Sequence, residues 1–252
     1  MRTIVIYNNK GGVGKSTACI NIIDALRIRG FRTLAVDMDP QANTTSTFNV
    51  ETDGKCTITD ILSKGSEFKI TDAIVSTEMG DILPSDYDLN YIKDEIGGAR
   101  LIVLKQKLDT IKDNYDFCII DTPPNIGNYT LSALLAADEY ILPVSGNSTY
   151  AIDGIGNAFK SISDILEVNT TLKYDGLLMT MYDQRKTRSD VKYWKAICER
   201  KKDLKPFSRP IRIDSNIGSA QDQKVSMQQK YHNSPASTDY RTIVDEILNL
   251  DR

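Results

Sequence analysis

Asn8-Asn9-Lys10-Gly11-Gly12-Val13-Gly14-Lys15-Ser16-Thr17 follows the apolar run Thr3-Ile4-Val5-Ile6-Tyr7 and precedes a periodic segment from Ala18 to Gly30. A buried strand that turns into a helix across such a loop is the context a phosphate-binding loop requires. Consecutive backbone N–H groups and the helix N-terminus then converge on one anion. Lys15 adds a full positive charge, and the Ser16 hydroxyl suits magnesium.

The first glycine of the pattern G-x-x-x-x-G-K-[ST] falls on Asn9, and the loop opens instead on Lys10. Lys15 alone neutralises a chain's own nucleotide. A second cation five residues earlier is explained if Lys10 reaches the phosphates of a neighbouring subunit; otherwise it is a solvated loop lysine.

Outward from this loop, residues 15–29 read as a helix ended by Gly30, and residues 32–37 as a second strand, a βαβ unit with a right-handed crossover. That strand runs into Asp37-Met38-Asp39-Pro40-Gln41-Ala42-Asn43. Asp37 and Asp39, two residues apart, point the same way at a strand's carboxyl end, where α/β sheets bind ligands. They suit ordering magnesium-bound waters or an attacking water, and Asp39 alternatively caps a proline turn. The apolar strand Phe117-Cys118-Ile119-Ile120-Asp121 has the form of a Walker B element, whose acid holds magnesium.

Between these motifs, residues 59–62 read as a helix start, 82–83 as a strand stopped by Pro84, and 87–100 as a polar, partly helical loop. Residues 101–112, 131–137 and 152–166 read as helices, and 139–144 and 174–181 as strands. A last helix, 240–250, carries Ile243, Ile247 and Leu250 on one face and is expected to dock on the sheet. The alternation predicts an α/β fold, and with no linker or repeat the 252 residues are expected to form a single domain, 1–252.

A hydrophobic fraction of 40% and a charged fraction of 26% are ordinary for a soluble globular chain. The four cysteines are scattered singly, against a zinc site or a disulfide framework, and fit a reducing cytoplasm. No apolar run approaches membrane-spanning length, and no signal-peptide pattern opens the chain. A net charge of −3 by itself predicts no nucleic-acid partner, yet it is unevenly spread. Residues 185–212 hold eleven cations against three anions, a net +8 that leaves −11 elsewhere. Such a basic face is the footprint of a phosphate-backbone binder, with Arg185, Lys186, Arg188, Lys192, Lys195, Arg200, Lys201 and Lys202 as the DNA-binding candidates. The alternative is a solvated surface helix, and Tyr193 and Trp194 read as that helix's core contacts.

Taken together, Lys10-Gly11-Gly12-Val13-Gly14-Lys15-Ser16-Thr17, Asp37-Met38-Asp39-Pro40-Gln41-Ala42-Asn43 and Ile119-Ile120-Asp121-Thr122-Pro123-Pro124 resemble the ParA/Soj family of DNA-partitioning ATPases, with its deviant Walker A loop. The likeness continues through Leu83-Pro84-Ser85, Leu131-Ser132-Ala133-Leu134, Tyr150-Ala151-Ile152-Asp153-Gly154 and Gly176-Leu177-Leu178-Met179-Thr180-Met181-Tyr182-Asp183. It implies a doubly wound, mostly parallel sheet of the P-loop NTPase type, flanked by helices, with ATP and Mg²⁺ at its carboxyl edge. Lys15 and the partner-reaching Lys10 would contact phosphates held by Gly11, Gly12, Val13, Gly14 and Thr17, with Met181 and Asp183 also at the nucleotide. Ser16 and Asp121 would hold magnesium with Asp37 behind them, and Asp39 would orient the attacking water. The resemblance further implies a slow, partner-stimulated ATPase that forms a homodimer when ATP-bound and binds duplex DNA non-specifically. It would be released by a ParB-type centromere-binding protein and lie in the cytoplasm, on the nucleoid, in plasmid or chromosome partitioning.

The last quarter departs from the family. Where members show Pro-Arg-Asn and then Ser-Glu-Ala near the adenine, this chain has Ile213-Asp214-Ser215-Asn216-Ile217 and Ala220-Gln221-Asp222, so base contacts and one DNA-contacting arginine are not carried over. No helix-turn-helix precedes the first strand, which predicts no operator-specific binding. A MinD-like ATPase positioning a non-DNA cargo would want a basic amphipathic C-terminal helix, whereas residues 239–252 are acidic. A nitrogenase-reductase-like carrier would need paired cysteines. A metabolic ATP-dependent enzyme of the same superfamily would need a substrate pocket that sequence does not reveal.

Overall fold

A computed structural model describes residues 1–146, 151–183, 185 and 189–248. Its seven described strands are β1 (Arg2–Ile6), β2 (Thr33–Asp37), β3 (Val75–Thr77), β4 (Gly80–Leu83), β5 (Phe117–Asp121), β6 (Glu139–Ser145) and β7 (Lys173–Thr180), in the order β3-β4-β2-β5-β1-β6-β7. All neighbours are parallel except β3, which runs antiparallel to β4 at the edge. The central strands are apolar without a polar alternation because both faces of the sheet are covered.

Alternate residues separate the two covering layers. Ile4, Ile6 and Ile119 face α1 (Lys15–Ile28), while Val5, Cys118 and Ile120 face the opposite layer. Short helices α2 (Asn43–Thr47), α3 (Ile58–Leu62) and α4 (Ile70–Ala73) lead to β3. Helices α5 (Val103–Asp109), α6 (Asn128–Ala136), α7 (Ala151–Ser161) and α8 (Ser163–Val168) follow, then α9 (Ser189–Glu199), α10 (Lys201–Leu204), α11 (Ser215–Asp222), α12 (Met227–Lys230) and α13 (Pro235–Leu248). From β1 the chain crosses to β2 on one side, and β6 and β7 lie on the other. The crevice at the carboxyl ends of β1 and β5 is therefore where ligands of open α/β sheets bind.

The expected strands are all present, while several helix boundaries differ for local reasons. The segment 101–112 begins as a 3-10 turn over Gly98–Ile102, leaving α5 at 103–109. The expected helix 152–166 is broken at Ile162, where Ser161 Oγ and Ser163 Oγ take the carbonyls of Asn157 and Lys160. The last helix starts earlier, at Pro235, because Ser234 Oγ caps the Ser237 N–H and proline suits a first helical position. It packs on α1, with Arg29 pairing to Asp245 at 2.6 Å, and its Ile247 carbonyl accepts from Arg2 of β1. Among the described residues no helix is long and apolar enough to cross a membrane.

Candidate nucleotide and magnesium site

The loop between β1 and α1 bends through left-handed backbone at Gly12 (φ 71°) and Gly14 (φ 85°), which only glycine adopts without strain. Gly14 is the N-cap of α1 and supplies no side chain, so the first N–H groups of the helix stay available to an anion. Asn8 fixes the start of the loop, donating to the Pro143 carbonyl at 2.7 Å and accepting the Lys10 N–H at 2.9 Å. The far side is fastened by Thr180, whose Oγ1 lies 2.8 Å from the Val13 carbonyl. A Cβ added at Gly14 would stand 3.5 Å from this threonine. Thr180 has no signal in the sequence, because its partner is 167 residues away.

Lys15 is 7% exposed and its Nζ donates to the Lys10 carbonyl at 3.1 Å. Burial lowers its pKa, and the Asp121 and Asp39 carboxylates oppose that fall. Lys10 itself is exposed at the loop's rim beside exposed Gly11 and Gly12. One lysine thus lies inward among carboxylates and the other on the outer surface.

Strand register assembles the acids. Asp121 of β5 aligns with Ile6 of β1 and with Asp37 of β2, so the two carboxylates end adjacent strands, both fully buried. Asp37 Oδ1 accepts the Asp39 N–H, and Oδ2 accepts the Thr45 N–H and hydroxyl at 2.9 and 2.8 Å. With both oxygens engaged in these hydrogen bonds, Asp37 anchors the loop that carries Asp39. Burial, then Asp121, pushes the Asp37 carboxyl to about 7 against these hydrogen bonds. Burial likewise lifts Asp121 to about 6, against the Ser16 and Thr44 hydroxyls and Lys15, with Asp39 adding to the rise.

Asp121 Oδ2 accepts from Thr44 Oγ1 at 2.7 Å, whereas its Oδ1 is buried with no hydrogen-bond partner among the described residues. An orphaned carboxylate oxygen beside the Ser16 hydroxyl fits magnesium, which prefers hard oxygen donors. Asp39, 7% exposed, accepts the Gln41 N–H through Oδ1 at 2.9 Å.

Beside the loop lies a cavity of about 270 Å³ between Gly14 and Thr17 on one wall and Met181, Ile211, Ile217 and Gln221 on the other. The second wall exists because residues 211–213 extend the sheet alongside β7: Tyr182 N–H donates to Ile211 and Ile213 N–H to Tyr182. The divergent last quarter therefore meets the nucleotide loop. Met181 lines this cavity; Asp183 does not, its carboxylate accepting the Arg185 N–H at 2.9 Å.

The basic stretch divides. Lys192 and Lys195 on α9, Arg200 between the two helices and Lys202 on α10 are exposed, and the Arg185 side chain is 88% exposed. Ile197 is buried beneath α9, with Tyr193 and Trp194 packed on the core as expected. Arg212, by contrast, grips the fully buried Asp239 at 2.7 and 2.8 Å and belongs to the fold, not to the basic surface. Lys186, Arg188 and the side chain of Lys201 lie outside the described residues.

Residues 1–174 match a family model described as an AAA domain. The chromosome partitioning protein ParA of Caulobacter vibrioides is 34% identical over 198 residues, spanning 75% of this chain and 73% of that protein. The chain belongs to the ParA/Soj family of partitioning ATPases. Soj of Bacillus subtilis, described as a sporulation initiation inhibitor, is 36% identical over 73% of this chain and 74% of its own. Among solved structures, cobyrinic acid a,c-diamide synthase of Mycobacterium smegmatis with a bound ATP analogue and magnesium superposes with a TM-score of 0.85 at 29% identity, covering 99% of this chain and 95% of that one. A plasmid partition protein of Borrelia burgdorferi bound to AMPPNP shares the fold, with a TM-score of 0.83 at 24% identity over 99% of each chain.

Proposed function

We propose that this ParA/Soj-type chain is an ATP-dependent dimerisation switch for partitioning a plasmid or chromosome. The observation that carries the reading is the division of labour between two lysines: Lys15 buried beside Asp39 and Asp121, and Lys10 exposed on the rim of the same loop. Lys15, the loop amides and Thr17 hold the β- and γ-phosphates, and the base enters the cavity walled by Met181, Ile211 and Gln221. Ser16 and Asp121 hold magnesium. When bound, that ion neutralises charge on the phosphate oxygens. Asp39 orients the attacking water, and Lys10 crosses to the phosphates of a second copy, so the closed dimer needs two nucleotides.

In the dimer the two basic surfaces, carrying Arg185, Lys192, Lys195, Arg200 and Lys202, together hold duplex DNA through its phosphates, without sequence preference. A ParB-type partner accelerates hydrolysis and releases the DNA, which places the working protein in the cytoplasm on the nucleoid. The test is retention of unrelated duplex DNA with ATP and magnesium, with ADP, and without nucleotide. Retention in the ATP state alone is expected, and equal retention in all three contradicts the switch. The likeness to cobyrinic acid a,c-diamide synthase favours a second reading, a metabolic ATP-dependent enzyme. Absence of DNA retention in every state would favour it.

A further inference from the structure

We propose that Thr44 is a positioning residue that presents the Asp121 carboxylate to magnesium and ties it to the loop carrying Asp39. The inference rests on the magnesium–ATP reading above. The loop from Asp37 to Thr45 is closed on itself: Asp37 Oδ1 accepts the Asp39 N–H, and Asp37 Oδ2 accepts both donors of Thr45. Within it, Asp39 turns back on the Gln41 and Ala42 N–H groups, through Oδ1 and the carbonyl oxygen at 2.9 Å each. Thr45 is used up in this closure, since its Oγ1 also accepts the Ser85 N–H at 2.9 Å.

Its neighbour Thr44 faces the other acid. Thr44 is fully buried, and its hydroxyl donates to Asp121 Oδ2 at 2.7 Å across 77 residues of sequence. A buried hydroxyl is costly unless bonded, so this hydrogen bond accounts for a polar side chain at a position a methyl group could fill. A carboxylate held by one oxygen cannot turn about its Cβ–Cγ bond without breaking that hydrogen bond. The other oxygen, Oδ1, is the one with no hydrogen-bond partner among the described residues, on the carboxylate that the Ser16 hydroxyl stands beside. Thr44 thereby selects which oxygen faces the ion. Because Thr44 and Asp39 share one closed loop, Asp121 cannot shift towards a metal without pulling on the residue that orients the water.

Partners that orient metal ligands from behind are commonly worth about 10- to 100-fold in metal affinity. The experiment uses the full chain with a non-hydrolysable ATP analogue and Mn²⁺ as the probe, titrated by electron paramagnetic resonance. Thr44→Val, which keeps the shape and removes the hydroxyl, is expected to weaken Mn²⁺ binding about tenfold. Thr44→Ser, which keeps the hydroxyl, is expected to stay within about threefold of the parent. Metal-free affinity for the analogue should be the same in all three, because Thr44 is not placed against the phosphates. Mn²⁺ binding by Thr44→Val equal to the parent overturns the proposal, as does an equal weakening in Thr44→Ser or a fall in metal-free nucleotide affinity. Should Thr44→Val fail to fold by thermal melting, Thr44→Ala against Thr44→Ser decides on the same readout. If the parent itself binds no Mn²⁺ with the analogue, the magnesium reading fails first and this inference with it.

Discussion

Asp37 and Asp121 end neighbouring strands in register, both fully buried, and among the described residues only Asp121 keeps an oxygen without a hydrogen-bond partner. Asp37 is spent on the loop 37–45, while Asp121 faces the P-loop helix. The two acids look alike in sequence, since both close apolar strands, yet the fold gives their oxygens different surroundings.

The pair gives the nucleotide-free protein a pH signature. Both carboxyls titrate higher in the fold than the ~3.9 of an unfolded aspartate. The folded chain therefore binds more protons than the unfolded one as pH rises from about 4 to about 7, so stability from this source is present below the lower value and lost through the upper. Denaturation midpoints at pH 5 and pH 7.5 are expected to show the decline, with a limit of about 1.4 kcal/mol per pH unit for each proton. Asp37→Asn should flatten it.

Lys15→Ala removes the cation nearest these acids. Nucleotide retention is expected to vanish in calorimetric titration with ATP and magnesium. Since Lys15 favours the charged form of Asp121, the same variant should steepen the loss of stability with rising pH.

Removing Arg212 leaves Asp239 buried without its main partner, because Arg209 approaches only to 4.0 Å. Arg212→Ala is expected to cost about 3–5 kcal/mol in denaturant unfolding. At temperatures where it remains folded, the salt dependence of DNA retention should match the parent. Lys192→Glu and Lys195→Glu should leave stability nearly unchanged and lower the slope of log affinity against log salt by about 1 for each phosphate no longer neutralised.

How far these features are legible in the sequence follows from the range of the interactions. Strands β1, β2 and β5 are readable because they are short apolar runs that end in the P-loop or an acid, and register then forces their ends together. Strand β3, three residues with Ser76 exposed and neither neighbour fully buried, is too short to show a pattern. Helix α11 also escapes, since it buries only Ala220 and so carries no apolar stripe, although Asp214 caps its start. The basic surface is overcounted at Arg212 because Asp239 lies 27 residues further on and only the fold brings them together. Thr44 and Thr180 are invisible for the same reason, each acting on a partner in a distant strand or loop. The Ser234-Pro235 start of α13 is a local signal that the apolar stripe further along the helix masks.

Asp39→Ala should separate binding from hydrolysis. It leaves Lys15, Ser16 and the loop amides in place, so ATP affinity is expected to stay within about threefold of the parent while turnover falls by about 10²-fold or more. Turnover equal to the parent in the presence of a stimulating partner would remove Asp39 from the mechanism.

The most direct measurement is the mass of the Asp39→Ala protein by light scattering with ATP and magnesium, with and without the further change Lys10→Ala. The mass is expected to double with Lys10 present and to remain that of a single chain without it, while ATP binding persists in both. A doubled mass in the absence of Lys10, or a single-chain mass in its presence, would contradict the dimerisation switch.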